Sequence, residues 1–193
     1  MKDKCLKKYI KWTKEKVPLK DFSVLDDFEL LKKNFNKKPE LFPLKKEDVK
    51  YIVIHHAEID SGNVQYYNWL HKGVFGWDMI GYHFVIGNGR DGLSKDGEIE
   101  KGRDLKWRGA HVKKHNHESI GICLVGNLDN YNPTQSQYNS LLKLVRKLMN
   151  EYGIDFLNVY GHNEFEGVSK TCPGRNFDMD KFREILRNEQ DSF

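Results

Sequence analysis

Cysteine is scarce in this sequence, and its few cysteines lie far apart. Cys5, Cys123 and Cys172 are an odd number spread over 193 residues, so a framework of disulfides is not expected. At least one thiol should therefore be free or bound to a metal. The five prolines and sixteen glycines are too few for a low-complexity chain, and 38% hydrophobic with 31% charged residues is typical of a globular protein.

Long apolar runs are also lacking. Met1 to Lys20 carries positive charge but no hydrophobic stretch of the length that a signal peptide needs, and no later segment is long enough to span a bilayer. We therefore expect synthesis in the cytoplasm without a signal peptide. Any action outside the cytoplasm would then need another exit route.

Negative charge is scarce at the N-terminus. Within residues 1–20, eight lysines face only Asp3 and Glu15, and the rest of the chain is close to neutral. Apolar residues interleave with these lysines at helical spacing, so Lys4 to Lys16 is predicted to form a basic amphipathic helix. This helix either packs on the domain with a solvated lysine face or attracts the protein to an anionic envelope polymer. A basic helix can also bind nucleic acid, but we do not expect nucleic acid as a partner of this protein.

A second helix is predicted between the basic segment and the main domain. Ser23 and Asp26 have the spacing of a helix N-cap and its partner, and an apolar stripe follows through Leu31 and Phe35. Residues 36–43 form a linker. The sequence thus divides into a helical N-terminal extension with a linker, residues 1–45, and one domain, residues 46–193.

The remaining sequence alternates β-branched apolar runs with helical patterns. This alternation predicts an α/β fold in which a central mixed β-sheet carries helices on both faces. Cys123 falls in one of the apolar runs and is expected to be a core thiol. The predicted strands are 49–57, 81–86, 98–100, 119–126 and 156–160, and the predicted helices are 63–72, 134–153 and 178–188.

One glycine-rich stretch matches a nucleotide-binding pattern without its context. Residues 87–92 read Gly-x-Gly-x-x-Gly after a predicted strand, but the following residues have no helical period and contain a further Asp-Gly turn. We therefore predict a hairpin excursion and not a dinucleotide site.

Groups with metal-binding chemistry are concentrated in one loop. His162 and Cys172 follow the last predicted strand, and His55 and His56 end the first one. Imidazole nitrogen and thiolate sulfur are ligands that zinc prefers, and a catalytic site keeps three protein ligands and one open position. Strand alternation does not decide between His55 and His56. A capping histidine with a buried thiol, or a metal-free Cys–His nucleophilic pair, is an alternative reading of the loop.

Several motifs, in order along residues 50–186, resemble the zinc-dependent N-acetylmuramoyl-L-alanine amidases, a family that includes phage endolysins and peptidoglycan recognition proteins. The matching motifs are Val53-Ile54-His55-His56-Ala57, Gly81-Tyr82-His83-Phe84, Glu100-Lys101-Gly102-Arg103, Gly109-Ala110-His111, Asn116 with Ser119-Ile120-Gly121, His162-Asn163-Glu164 and Lys170-Thr171-Cys172-Pro173.

The resemblance implies a set of site residues. One Zn²⁺ per chain would be held by His55, His162 and Cys172, where it would lower the pKa of water to roughly 7 and polarise the scissile carbonyl. Tyr82 and Lys170 match the two supporting catalytic positions, where they would stabilise the developing oxyanion. Three further residues would lie near the substrate groove: His111, Arg103 and Asn116.

The resemblance also implies a substrate and a setting. The reaction would be hydrolysis of the amide between N-acetylmuramic acid and L-alanine in peptidoglycan, by a monomeric phage endolysin that reaches the cell wall after a partner permeabilises the membrane. A peptidoglycan-binding module without activity and a cytoplasmic amidase that recycles muropeptides are the alternatives. Cys172 favours an enzyme, because recognition proteins that bind without cleaving lack this cysteine.

Overall fold

A five-stranded sheet forms the centre of the fold in the computed structural model, which describes residues 10–11, 27–90 and 92–190. The strand order is β3-β2-β4-β1-β5. Strand β1 is parallel to both β4 and β5, β2 is parallel to β4, and β3 alone is antiparallel, to β2. The strands are β1 (Tyr51–His56), β2 (Phe84–Ile86), β3 (Ile99–Lys101), β4 (Ser119–Leu124) and β5 (Val159–Gly161).

Helices cover both faces of this sheet, which confirms the predicted fold class. Helices α3 and α4 pack on one face, and α1 and α2 pack on the other. No helix in the described part of the chain has the length and apolarity needed to cross a membrane. The helices are α1 (Phe28–Asn36), α2 (Val64–Asn68), which continues as a π-helical turn (Trp69–Val74), α3 (Gln135–Tyr152) and α4 (Met179–Gln190).

The alternation of side chains along β1 explains why the sheet is buried on both faces. Ile52 and Ile54 are fully buried in the core beneath α3 and α4. Val53, also fully buried, packs on the opposite side against Val112 and Phe165. His55 therefore shares the face of Val53, because successive residues of a strand point to opposite faces.

The predicted α3 is confirmed in position and in its termini. The Thr134 side chain accepts a hydrogen bond from the Gln137 amide while the Gln137 side chain accepts one from the Thr134 amide, which is a capping box. Gly153 follows the helix in the left-handed conformation, with φ 66°. The helix thus begins and ends at residues whose local chemistry favours those termini.

Two strand predictions are partly wrong. The strand predicted at 156–160 begins only at Val159 and runs to Gly161. The first three predicted residues form a 3₁₀ turn, Phe156–Asn158, which the Asp155 side chain caps by accepting a hydrogen bond from the Leu157 amide at 2.8 Å. In the predicted strand 81–86, regular pairing begins at Phe84. By contrast, residues 87–98 connect the antiparallel β2 and β3, as the hairpin prediction requires.

The second predicted helix packs on the domain. It begins at Phe28, and the Asp27 side chain caps it by accepting from the Leu30 amide at 2.8 Å; the predicted cap, Ser23, lies outside the described residues. Leu31 is fully buried in the cluster beneath α1 and α2. Of the predicted basic helix, only Ile10 and Lys11 are described, and both are helical. The domain boundary after residue 45 stays a prediction.

Candidate metal centre and active site

The structure brings together three side chains that could hold a metal ion. His55 ends β1, His162 begins the 3₁₀ turn after β5 (His162–Glu164), and Cys172 lies in the loop that follows. One ligand atom from each lies within 4.8 Å of the others. The Cys172 Sγ is 3.6 Å from the His55 Nδ1, and the rings of His55 and His162 are 4.6 Å apart between centroids.

Strand direction explains how residues so far apart in the sequence meet. Strands β1 and β5 are parallel neighbours, so their carboxyl ends deliver His55 and His162 to the same edge of the sheet. Cys172 joins them because its carbonyl accepts a hydrogen bond from the Asn163 amide at 2.7 Å. This backbone contact closes the loop, and a spacing of ten residues is therefore compatible with a shared site.

His56, the other histidine at the end of β1, has a different role. Its Nδ1 accepts a hydrogen bond from the Leu128 amide at 3.0 Å, which holds the loop after β4. The alternation of β1 thus places one histidine among the metal-binding groups and the other in a structural contact.

Burial keeps the three candidate ligands uncharged when no metal is bound. It lowers the pKa of His55 and His162 below the usual histidine value, so both imidazoles are neutral and able to bind metal near pH 7. Burial also raises the pKa of the Cys172 thiol to about 12. A bound cation would favour the thiolate, because ligand binding and deprotonation are coupled.

The donor set fits a catalytic metal ion. Two imidazoles and one thiol face a cavity of about 350 Å³, which leaves room for water or substrate beside the three protein ligands. Three ligands with an open position are typical of catalytic zinc, whereas structural zinc sites are closed by four.

An ion pair with α4 holds the turn that carries His162. Glu164 accepts a hydrogen bond from the Gly161 amide at 2.6 Å and binds Arg183 through both of its carboxylate oxygens, each at 2.9 Å. Arg183 donates as well to the Asp180 carboxylate. The Glu164 carboxylate therefore fixes the backbone beside a candidate ligand and does not face the metal-binding groups.

A second carboxylate holds the Cys172 side of the loop. Asp129 accepts hydrogen bonds from the Thr171 hydroxyl at 2.6 Å and from the Arg175 amide at 2.9 Å, and the Thr171 contact lowers the pKa of Asp129. Gly174 follows with φ 108°, and a Cβ there would lie 2.6 Å from Leu128. Only glycine allows this close approach of the loop to the segment after β4.

Tyr82 and Lys170 both line the cavity beside the candidate ligands. The ring of Tyr82 lies 5.2 Å from that of His55, and burial raises the pKa of its hydroxyl well above the usual value, so the group stays a hydrogen-bond donor. The Lys170 Nζ forms an ion pair with Glu58 at 3.2 Å, at an exposed position. Glu58 has φ 61°, which is uncommon for a residue with a side chain.

The three residues expected near the substrate groove have distinct environments. His111 lies behind His55, with its Nδ1 3.1 Å from the His55 Nε2, and a Cβ at Gly121 would approach its ring to 2.5 Å. The Asn116 side chain accepts hydrogen bonds from the amides of His111 and Val112. Arg103 is buried, and its guanidinium donates to the carbonyls of three residues: Met79, Ile80 and Arg108.

A mixed sheet that places three possible metal ligands around an open cavity fits a hydrolase with a catalytic metal ion. The sequence matches the N-acetylmuramoyl-L-alanine amidase family over residues 45–175. It is 31% identical over 145 residues to an endolysin of Klebsiella phage KP32, a match that covers 72% of this chain and 89% of the relative. This chain belongs to the N-acetylmuramoyl-L-alanine amidase family.

Solved structures agree with this assignment. The N-acetylmuramoyl-L-alanine amidase LysC from Clostridium intestinale URNW superposes with a TM-score of 0.65 at 32% identity, over 76% of this chain and 91% of that one. Drosophila PGRP-LB superposes with a TM-score of 0.61 at 25% identity, over 73% and 84% of the two chains. The family and the enzyme class predicted from the sequence are therefore confirmed.

Proposed function

We propose that this protein is a zinc-dependent, endolysin-type amidase that hydrolyses the bond between N-acetylmuramic acid and L-alanine in peptidoglycan. The observation that carries the proposal is the placement of His55, His162 and Cys172 around one open cavity in a chain of this family. Endolysins among its relatives support the cell wall as the place of action.

The three ligands would hold the ion through the His55 Nδ1, one imidazole nitrogen of His162 and the Cys172 sulfur. A bound zinc ion supplies a Lewis acid that lowers the pKa of water and polarises a carbonyl oxygen. The contact of the His55 Nε2 with the His111 Nδ1, at 3.1 Å, would fix the orientation of the His55 ring, as second partners of metal-binding histidines commonly do.

Tyr82 and Lys170 would stabilise the negative charge that develops on the carbonyl oxygen of the substrate. Tyr82 can donate from its protonated hydroxyl, and Lys170 from its ammonium group at the rim of the same cavity. Lys170 must first exchange its contact with Glu58 for one with substrate. Because both side chains are 48% exposed or more, solvent screens this ion pair and the exchange costs little.

Product analysis on purified sacculi tests the reaction. We expect the protein to release new amino groups without new reducing sugar ends, and a chelator should stop the release until zinc is restored. Binding to sacculi without any release would support a non-catalytic module, and cleavage of soluble muropeptides with intact sacculi untouched would support the recycling enzyme. New reducing ends would indicate a glycosidase and contradict the proposal.

Metal analysis tests the site separately. We expect about one zinc per chain, lost in Cys172→Ala and His162→Ala. The matched control is Cys123→Ala, which removes another buried thiol outside the ligand set and should keep the zinc. Full activity of Cys172→Ala, or activity without any metal, would contradict the zinc site.

A further inference from the structure

A second cavity adjoins the candidate active site. Its volume is about 510 Å³, and Trp77 and Ala110 line both cavities, so the two are neighbours that share these residues. The second cavity is lined on one side by the segment before β1, through Glu40 and Phe42, and on the other by the loop that contains Arg108.

Two aromatic side chains in this cavity are exposed to solvent. Phe42 is 54% exposed and Trp77 is 40% exposed, which is unusual for side chains of this size when the same protein buries residues such as Trp69. Exposed apolar groups that lie together in a concavity are typical of ligand contacts. Packing within the described part of the chain gives no reason for this exposure.

The backbone that carries Phe42 is fixed in place. The Phe42 carbonyl accepts a hydrogen bond from the Arg108 amide at 2.8 Å, and the Leu44 amide donates to the Lys106 carbonyl at 2.8 Å. The Arg108 Nε donates to the Pro43 carbonyl at 3.1 Å. Phe42 is therefore held at the cavity by backbone contacts of its own and of the two residues that follow it, which is the preorganisation that a binding site needs.

The charges in the cavity favour an uncharged, polar occupant. Glu40 and Asp78 line it together with Arg103 and Arg108, and Asp78 forms an ion pair with Lys37 at 3.0 Å, so neither sign of charge prevails. The Arg103 guanidinium, also in the lining, is occupied by backbone carbonyls. Carboxylates accept hydrogen bonds from hydroxyl groups, and an aromatic ring packs on the apolar face of a pyranose. A sugar ring matches both features of this cavity.

We propose that the second cavity binds an N-acetylated pyranose of the glycan strand, the ring next to the muramic acid whose amide lies at the metal centre, with Phe42 and Trp77 as its apolar contacts. This inference rests on the proposed function and extends it, because it assigns substrate contact to Phe42, a residue that precedes the segment matched to the family. The stem peptide would then occupy the first cavity, where Lys170 supplies a positive charge.

Two synthetic substrates test the proposal: N-acetylmuramoyl-tripeptide, and the same compound extended by the neighbouring N-acetylglucosamine. We expect the zinc-loaded protein to prefer the disaccharide, and Phe42→Ala to lower the ratio of kcat/KM for disaccharide over monosaccharide by about tenfold, mainly through KM. The control is Leu157→Ala, which removes another exposed apolar side chain, 62% exposed and outside both cavities, and should keep the ratio.

The outcomes separate the two proposals. An unmodified protein that cleaves both substrates with equal kcat/KM, or a Phe42→Ala variant with an unchanged ratio, would overturn the glycan site and leave the amidase function intact. A variant whose defect follows the length of the stem peptide would assign the cavity to peptide and overturn the inference as well. Inactivity of the zinc-loaded, unmodified protein toward both substrates would overturn the proposed function and the glycan site with it.

Discussion

Lys170 is the candidate catalytic residue with the least support from its surroundings. Its side chain is 62% exposed, and its only described ionic partner is Glu58. Tyr82, in contrast, is held among the rings of Tyr67, His71 and His55. The role of Lys170 therefore depends on its position at the rim of the cavity and on its charge, both of which a substitution can test.

We predict that Lys170→Met lowers kcat on peptidoglycan about 100-fold to 1000-fold, because loss of one donor to a developing oxyanion typically has that effect. Zinc content should not change, since Lys170 is not a ligand. Single-turnover kinetics and metal analysis measure the two quantities. Lys143→Met, a substitution on α3 outside the cavity, is the control, and an unchanged kcat in Lys170→Met would remove this residue from the catalytic set.

At the residue scale, the sequence predicted the candidate metal ligands but not the residues that hold those ligands in position. His162 and Cys172 were identifiable from their chemistry, and family resemblance selected His55. Asp129 and Arg183 escaped prediction, because an acidic residue in a loop and a basic residue on an amphipathic helix have no distinctive sequence pattern. Their importance arises from tertiary contacts, at 2.6 Å to Thr171 and 2.9 Å to Glu164.

At the scale of elements, α4 supports the candidate metal centre without contributing a ligand to it. Arg183 on this helix holds the turn His162–Glu164 through the Glu164 carboxylate, and its Nη1 also donates to the Val159 carbonyl on β5. The helix thus connects a strand end and a ligand-bearing turn, and its own position is set by the burial of Phe182 and Leu186.

Arg183→Met should therefore weaken zinc binding about tenfold, the lower end of the usual effect when a group that orients a ligand is lost. Competition with a chromogenic chelator measures the affinity. Asp180→Asn is the matched control, because it removes the other, 95% exposed, carboxylate partner of Arg183 and leaves Glu164 in place. Equal affinities of the two variants would show that the turn keeps its position without α4.

Local sequence signals predicted the ends of an element where those ends carry a capping motif, and missed irregularities inside an element. The capping box at Thr134 and the left-handed Gly153 define α3 because the chemistry of its termini is local. The helical pattern of residues 63–72 did not reveal the π-helical turn Trp69–Val74, in which the Phe75 amide donates to the Leu70 carbonyl. The turn places His71 and Phe75 at the cavity.

At the scale of the whole molecule, buried histidines make folding sensitive to acid. His83 accepts a hydrogen bond from the Gly121 amide at its Nδ1, and its Nε2 lies 3.1 Å from the Trp107 carbonyl. Burial lowers its pKa from 6.5 to about 4. The unfolded chain therefore takes up a proton at a higher pH than the folded protein does, and stability decreases as the pH falls from about 6.5 to about 4.

We predict that His83→Asn reduces this loss of stability by up to about 3 kcal/mol, the free-energy equivalent of the pKa shift. Asparagine can still accept from the Gly121 amide, so the variant should fold. Urea unfolding of the unmodified protein and of His83→Asn, at pH 7 and at pH 4, gives the loss of stability of each protein between the two pH values. The titration of the metal ligands is common to both proteins and cancels when the two losses are subtracted. The same pH dependence in both proteins would contradict the assignment to His83.

The basic N-terminal segment is predicted to attract the protein to the anionic cell envelope. Deletion of residues 1–20 should weaken binding to an anionic envelope polymer more at low salt than at high salt, because exposed charges are screened beyond about 8 Å at physiological ionic strength. Co-sedimentation over a salt series measures the effect. Full-length protein with the eight lysines of this segment replaced by glutamine should behave like the deletion; binding unaffected by either change would assign the segment to structural packing.

The position of β1 distinguishes the three candidate metal ligands from one another. His55 lies on a strand that is paired on both sides, whereas His162 and Cys172 follow the three-residue strand β5 at the edge of the sheet. Local opening is easier at such an edge than in the middle of a sheet. For the zinc ion proposed above, we therefore expect exchange to begin on the side of His162 and Cys172, while His55 stays fixed in the sheet.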